Sequence, residues 1–136
     1  LIGQKAPDWT LPQVLNDSIQ LSSLKGNLVL LEFWFSGCRG CVKAIPELNR
    51  IQKQYFKNGL KVYGIEFTKS NNKGIEEYIQ KEEIEYPTLY KGKEIAIEYG
   101  VNAAPTIFLI DRKGIIKYSS VGLDKEKLIK SIEDNI

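Results

Sequence analysis

Two cysteines, Cys38 and Cys41, stand three residues apart in the segment SGCRGC, and the chain has no histidine. In the first turn of a helix this spacing brings two sulfurs within bonding reach. The free N–H groups and positive end of the helix dipole favour a thiolate on the first of them. Cys38 is therefore expected to be the exposed attacking thiol, with Cys41, one turn further in, resolving a mixed disulfide. Arg39 adds positive charge between them, and Gly37 and Gly40 leave room for a partner backbone to approach. Two other uses fit less well. A zinc site ordinarily takes four Cys or His ligands, so this pair would need ligands from another subunit. A purely structural bridge closing so short a loop would contribute only about 2 kcal/mol.

Glu32 lies in the middle of the apolar run LVLLEFWF, on the same side as Leu30 and Trp34 if the strand alternates. A carboxylate buried there is costly when ionised, so its pKa is expected to rise, making it a candidate acceptor for the Cys41 proton. The competing reading is a glutamate that reaches solvent or a lysine such as Lys61. Pro105, in Ala104-Pro105-Thr106, precedes the run TIFLI and cannot donate to a sheet ladder, which marks a strand entry. Sequence does not distinguish cis from trans there.

The elements that must position these residues can be read from pattern. Leu28–Phe35 and Leu60–Phe67 are continuously apolar, as strands of a sheet covered on both faces are. A helix is predicted from close to Cys38 to about Lys57. Ile45, Leu48, Ile51, Gln52 and Tyr55 form its stripe, Pro46 should kink it, and Asn58-Gly59 stops it. Asn71 or Asn72 is expected to cap a helix over Lys73–Glu82. A short strand at Tyr86–Tyr90 and a short helix at Ile95–Tyr99 follow. Strands at Thr106–Asp111 and Ile115–Ser120 pair through Arg112-Lys113-Gly114, and Asp124 caps a last helix with Leu128, Ile129 and Ile132 inward. Upstream, a hairpin is predicted around Leu11–Leu15 and Ile19–Leu21, turning at Asn16-Asp17. The alternation is that of an α/β fold with a mixed sheet flanked by helices.

The totals agree with one compact domain over 1–136. With 43% apolar and 26% charged residues and a net charge of +2, the basic residues dispersed, nothing suggests a nucleic-acid partner. No apolar run approaches the roughly 18 residues of a membrane span. A chain that opens on Leu1 with no methionine is expected to be a piece of a longer product, any membrane contact being through an N-terminal anchor outside it.

EFWFSGCRGC, AAPTIFLID and KGIIKYSSVG together resemble the thioredoxin superfamily. The resemblance is closest to the TlpA/ResA-type thiol–disulfide oxidoreductases related to the AhpC/TSA group, and it covers essentially the whole chain. It implies a thioredoxin-like fold with residues 1–27 as an N-terminal extension bearing the hairpin and about 70–90 as a helix–strand insertion. It also implies Cys38 as nucleophile, Cys41 as resolving thiol, Glu32 as the buried acid and Pro105 as a cis-proline facing the cysteines. Ala104 would offer its backbone to a substrate strand, Trp34 would pack beneath the site, and Gly37 and Arg39 would complete the contact surface. Departures are also visible. Arg39-Gly40 lacks a proline before the second cysteine, Gly37 replaces a frequent aromatic, and Ala44 stands where the ResA type has glutamate, which leaves acid–base duty to Glu32 or else Glu66. Phe35 is not the threonine of a peroxiredoxin, and neither the CxxxC nor the histidine of a Sco-type copper binder is present.

The expected activity is reduction of protein disulfides by a monomer outside the cytoplasm, kept reduced by an upstream thiol donor, with no metal or organic cofactor. A disulfide oxidase or isomerase, a redox-inactive binding module and a peroxidase are the competing readings.

Overall fold

A computed structural model describes residues 1–136. The chain forms β1 (Thr10–Gln13), β2 (Asn16–Gln20), β3 (Leu28–Trp34), α1 (Arg39–Tyr55), β4 (Leu60–Glu66), α2 (Ile75–Lys81), β5 (Thr88–Leu89), α3 (Lys93–Glu98), β6 (Thr106–Ile110), β7 (Ile116–Val121) and α4 (Lys125–Asn135). All seven strands join one mixed sheet in the order β2-β1-β5-β4-β3-β6-β7. β3, β4 and β5 run parallel, whereas β6 runs antiparallel to β3 and β7 to β6.

The apolar run of β3 divides between two cores, because successive side chains leave opposite faces of a strand. Val29, Leu31 and Phe33 point into a core closed by Ala96 and Tyr99 around α3 and by Trp9, Leu11 and Leu21 of the N-terminal segment. Leu28 and Leu30 join Ala44, Ile45, Leu48, Ile51 and Tyr55 of α1 with Leu128 and Ile132 of α4. Helices therefore cover both faces, as the continuous apolarity implied. Helix α1 continues across Pro46, and Gly59 at φ 85° ends the segment in the left-handed conformation. Gln52, counted in the predicted stripe, instead turns to the rim and donates to the Glu85 carbonyl at 3.2 Å. Asp124 caps α4 as predicted, accepting from the Lys127 amide at 3.2 Å.

Three local expectations are corrected. The hairpin turns at Val14-Leu15, since Gln13 pairs with Asn16, and not at Asn16-Asp17. Val14 is buried and its amide donates to the Thr88 carbonyl at 2.9 Å, which fixes this register and puts Leu15 at φ 72°. Helix α2 starts after Gly74, whose φ of 77° begins the turn without a side-chain cap. Asn71 accepts from Lys73 at 2.9 Å in the loop before it, and the Asn72 carbonyl accepts from Ile75. Finally, β5 shrinks to Thr88–Leu89, because Pro87 has no amide to pair and the Tyr86 side chain is drawn into the core. That short strand carries the N-terminal hairpin into the sheet through Gln13 and Leu89.

Candidate active site

The chemistry collects at one end of the sheet. β3 ends at Trp34, and the chain then makes a tight turn in which the Cys38 amide donates to the Phe35 carbonyl at 3.2 Å. Gly37, third in that turn, has φ 90°, a backbone state that favours glycine. Cys38 follows as the N-cap of α1, and its sulfur accepts from the Cys41 amide at 3.3 Å. Cys38 and Cys41 form a disulfide with Cα atoms 5.2 Å apart. The interaction that caps the helix is thus the one that would stabilise a Cys38 thiolate after reduction.

The pair is less open than the sequence suggests. Cys38 is 6% exposed and Cys41 2% exposed. Both belong to a small cluster with Trp34, Val14 and Ile75, against which Ala104 also packs. The hairpin and α2 therefore cover what the sequence reading leaves exposed. Trp34, expected among the contact residues, is 2% exposed and lies beneath the pair, where Tyr78 of α2 stacks on it at 5.3 Å. Gly37, Arg39 and Gly40 are exposed and form the rim.

Pro105 closes the other side. The Ala104–Pro105 peptide bond is cis. A Cβ on Gly40 would stand 3.1 Å from the Pro105 ring, so glycine is what lets the α1 start and the Ala104-Pro105 segment approach so closely. The Pro105 carbonyl accepts from Gly122 at 2.7 Å, and the Thr106 hydroxyl donates to the Ala103 carbonyl at 2.7 Å.

Glu32 is 1% exposed, on the β3 face shared by Leu30 and Trp34. Burial pushes its carboxyl up to about 8, opposed by a hydrogen bond from the Tyr86 hydroxyl at 3.0 Å. Its second oxygen has no partner. No cation lies within salt-bridge distance, and Lys61 extends over the Phe56 ring instead, so the solvent-or-lysine reading of Glu32 falls. Gly64 is the β4 residue opposite Glu32, and a Cβ there would meet Trp34 at 3.0 Å and Tyr86 at 3.1 Å. Tyr86 owes its approach to that glycine. Its own hydroxyl is held far above the ordinary value, first by burial and then by the Glu32 charge.

Glu66, at the end of β4 opposite Trp34, is fully buried and used differently. One oxygen accepts from the Thr68 and Lys69 amides, the latter at 2.8 Å. The other accepts from the Ser36 amide at 3.3 Å and the Thr68 hydroxyl at 2.8 Å. Sequence reasoning noted the residue but not these partners, one of which lies 30 positions away. The contribution of Tyr86 was missed outright, since an aromatic before a proline carries no local sign of a carboxylate partner.

The AhpC/TSA family model matches residues 2–119. The thioredoxin-like protein YneN of Bacillus subtilis is 32% identical, covering 92% of this chain and 74% of that protein. The thiol-disulfide oxidoreductase ResA of Bacillus anthracis is 29% identical over 89% of this chain and 70% of its own length. Among solved structures, one described as a DsbE-type thiol:disulfide interchange protein from Chlorobium tepidum superposes with a TM-score of 0.91 at 31% identity, covering 99% of this chain and 97% of that one. A sheet of this order with a CxxC disulfide at the head of α1 is the thioredoxin-like architecture expected from the sequence. The chain belongs to the AhpC/TSA family.

Proposed function

We propose that this protein is a thiol–disulfide oxidoreductase that reduces protein disulfides through Cys38 and Cys41. The observation that carries the reading is the disulfide at the N-terminus of α1, with Cys38 placed to receive the Cys41 amide as a thiolate. In the reducing direction, the Cys38 thiolate attacks one sulfur of a substrate disulfide. A Cys38–substrate bond forms, the substrate S–S bond breaks, and one substrate thiolate leaves. Cys41 then gives its proton to Glu32 and attacks the Cys38 sulfur, closing the Cys38–Cys41 bridge and releasing the second substrate thiolate. Two electrons pass to the substrate, and an external dithiol returns them to the pair.

Glu32 suits its part because a carboxyl at about 8 lies near an ordinary thiol, so proton transfer between them is nearly balanced. Ala104, partly exposed beside the cluster, offers backbone groups to an extended substrate segment, with Pro105 shaping that wall. Gly37 and Arg39 contribute the rim, and Trp34 supports the pair from below. The exchange needs neither metal nor organic cofactor. The relatives named ResA and DsbE support placing the activity outside the cytoplasm. No helix here is long and apolar enough to cross a membrane.

Cys41→Ser tests the mechanism. Expressed in the native host, it is expected to accumulate mixed disulfides on Cys38 that dithiothreitol releases, while Cys38→Ser traps nothing. Absence of any adduct with Cys41→Ser would overturn the proposed order of attack. Insulin reduction by the purified protein separates an exchanging enzyme from a docking module. Equilibration with glutathione separates a reductase from an oxidase or isomerase, a strongly oxidising potential sinking the first.

A further inference from the structure

We propose that Glu66 is a positioning residue for Cys38: its carboxylate ties the Ser36-Gly37 turn to the loop after β4 and so holds the attacking sulfur at the α1 cap. The proposal rests on the reading of Cys38 as nucleophile. Glu66 is fully buried, and no lysine or arginine pairs with it. Its compensation comes from three backbone amides and one hydroxyl, those of Ser36, Thr68 and Lys69. A buried carboxylate loses several kcal/mol of hydration, which such donors must offset. That is a costly way to tie a loop that an apolar residue could pack instead.

The division of the donors shows what is tied. One oxygen serves the loop of Thr68 and Lys69 alone. The other reaches across to Ser36, two residues before Cys38, in the turn closed by the bond from the Cys38 amide to Phe35. β3 and β4 run side by side to this point, with Trp34 opposite Glu66 and the Phe67 amide donating to the Trp34 carbonyl at 3.2 Å. Beyond it the ladder stops, and the Glu66 side chain continues the connection between the diverging chains. The turn has one left-handed glycine and an exposed rim, so the link at Ser36 adds to the Cys38–Phe35 bond and the packing of Cys38 in fixing where Cys38 enters the helix. Without that link its sulfur would spend less time in line with the Cys41 amide.

Two substitutions separate positioning from charge and from simple stability. Glu66→Gln keeps an oxygen for Thr68 and Lys69 but turns an N–H group toward the Ser36 amide, cutting that link and removing the charge. Glu66→Asp keeps the charge but is one methylene short of spanning both sides. In a Cys41→Ser background, iodoacetamide alkylation of Cys38 measures thiolate presentation whether or not the protein reduces disulfides. Both variants are expected to slow alkylation at pH 7 by roughly fivefold, with the pH midpoint of the reaction moving upward. A lower melting temperature with unchanged alkylation in both would make Glu66 merely structural and overturn the proposal. So would faster alkylation in Glu66→Gln alone, which would mark a pure charge effect. Hydrogen exchange of the Ser36 amide in the unmodified protein serves if a variant fails to fold. Protection comparable with α1 amides is expected, and exchange at the rate of a free loop would refute the tie. Normal wild-type alkylation with no insulin reduction would sink the reductase reading and leave this test standing.

Discussion

At the residue scale, Glu32 carries the clearest energetic signature. Its folded-state pKa of about 8 stands above the ordinary 4.5, so the unfolded chain gives up the proton first as pH rises. Stability contributed by neutral Glu32 is therefore full below about pH 4.5 and is lost progressively up to about pH 8. The whole loss is on the order of 5 kcal/mol, spread over that window. Glu32→Gln is expected to flatten this dependence, giving a protein more stable than wild type at pH 9 and similar at pH 5. Urea midpoints at the two pH values check it; parallel curves for the two proteins would refute it. The same substitution should slow closure of the Cys38–Cys41 bridge, which in the wild type accelerates as pH passes about 8. Tyr86→Phe removes the hydrogen bond that favours ionised Glu32, so the midpoint of that acceleration should move to higher pH in stopped-flow measurements. An unchanged midpoint would mean that Tyr86 packs against Glu32 without tuning it.

At the element scale, α2 is the piece whose part in the site was least visible beforehand. It is a short helix of weak pattern, yet Ile75 reaches the disulfide cluster with no exposed surface and Tyr78 stacks on Trp34. Ile75→Ala should cost about 2–4 kcal/mol through the cavity left behind and should speed reduction of the Cys38–Cys41 bridge by a small dithiol. Denaturation and the reduction rate read the two effects separately, and a large loss of stability without faster reduction would show that Ile75 does not shield the pair. Strands β3, β4 and β6 were legible because runs such as LVLLEFW and TIFLI must be buried on both faces. The cysteines, Glu32 and Pro105 were legible because their chemistry is out of place in their surroundings. The hairpin turn, the α2 start and the Glu66 and Tyr86 contacts were not. Each is decided by a partner distant in the chain: Thr88 for Val14, the disulfide cluster for Ile75, Ser36 for Glu66 and Glu32 for Tyr86.

At the scale of the whole molecule, mixed strand directions bring separate chain ends to one pole. The exits of β3, β4 and β7 meet the entry to β6 there, so Trp34, Glu66, Val121 and Thr106 share one end of the sheet. The opposite end is closed differently. The Gly3 amide donates to the Ile116 carbonyl at 2.8 Å, the Ile116 amide donates to the Gln4 carbonyl at 3.0 Å, and the Ala6 amide donates to the Gly114 carbonyl at 2.9 Å. An isolated bridge joins Lys5 to Ile115. Residues 3–6 thus lie beside Gly114, Ile115 and Ile116, covering the turn into β7 and its first residue, while the rest of β7 remains an edge strand. Removing residues 1–5 would bare the amide and carbonyl of Ile116 and lengthen a row of unpaired groups able to accept another chain. The shortened protein is expected to self-associate as its concentration rises, by sedimentation velocity, while the full chain holds its mass. A short peptide strap with the look of mere lead-in thereby shortens the stretch of sheet edge on which a neighbouring molecule could pair.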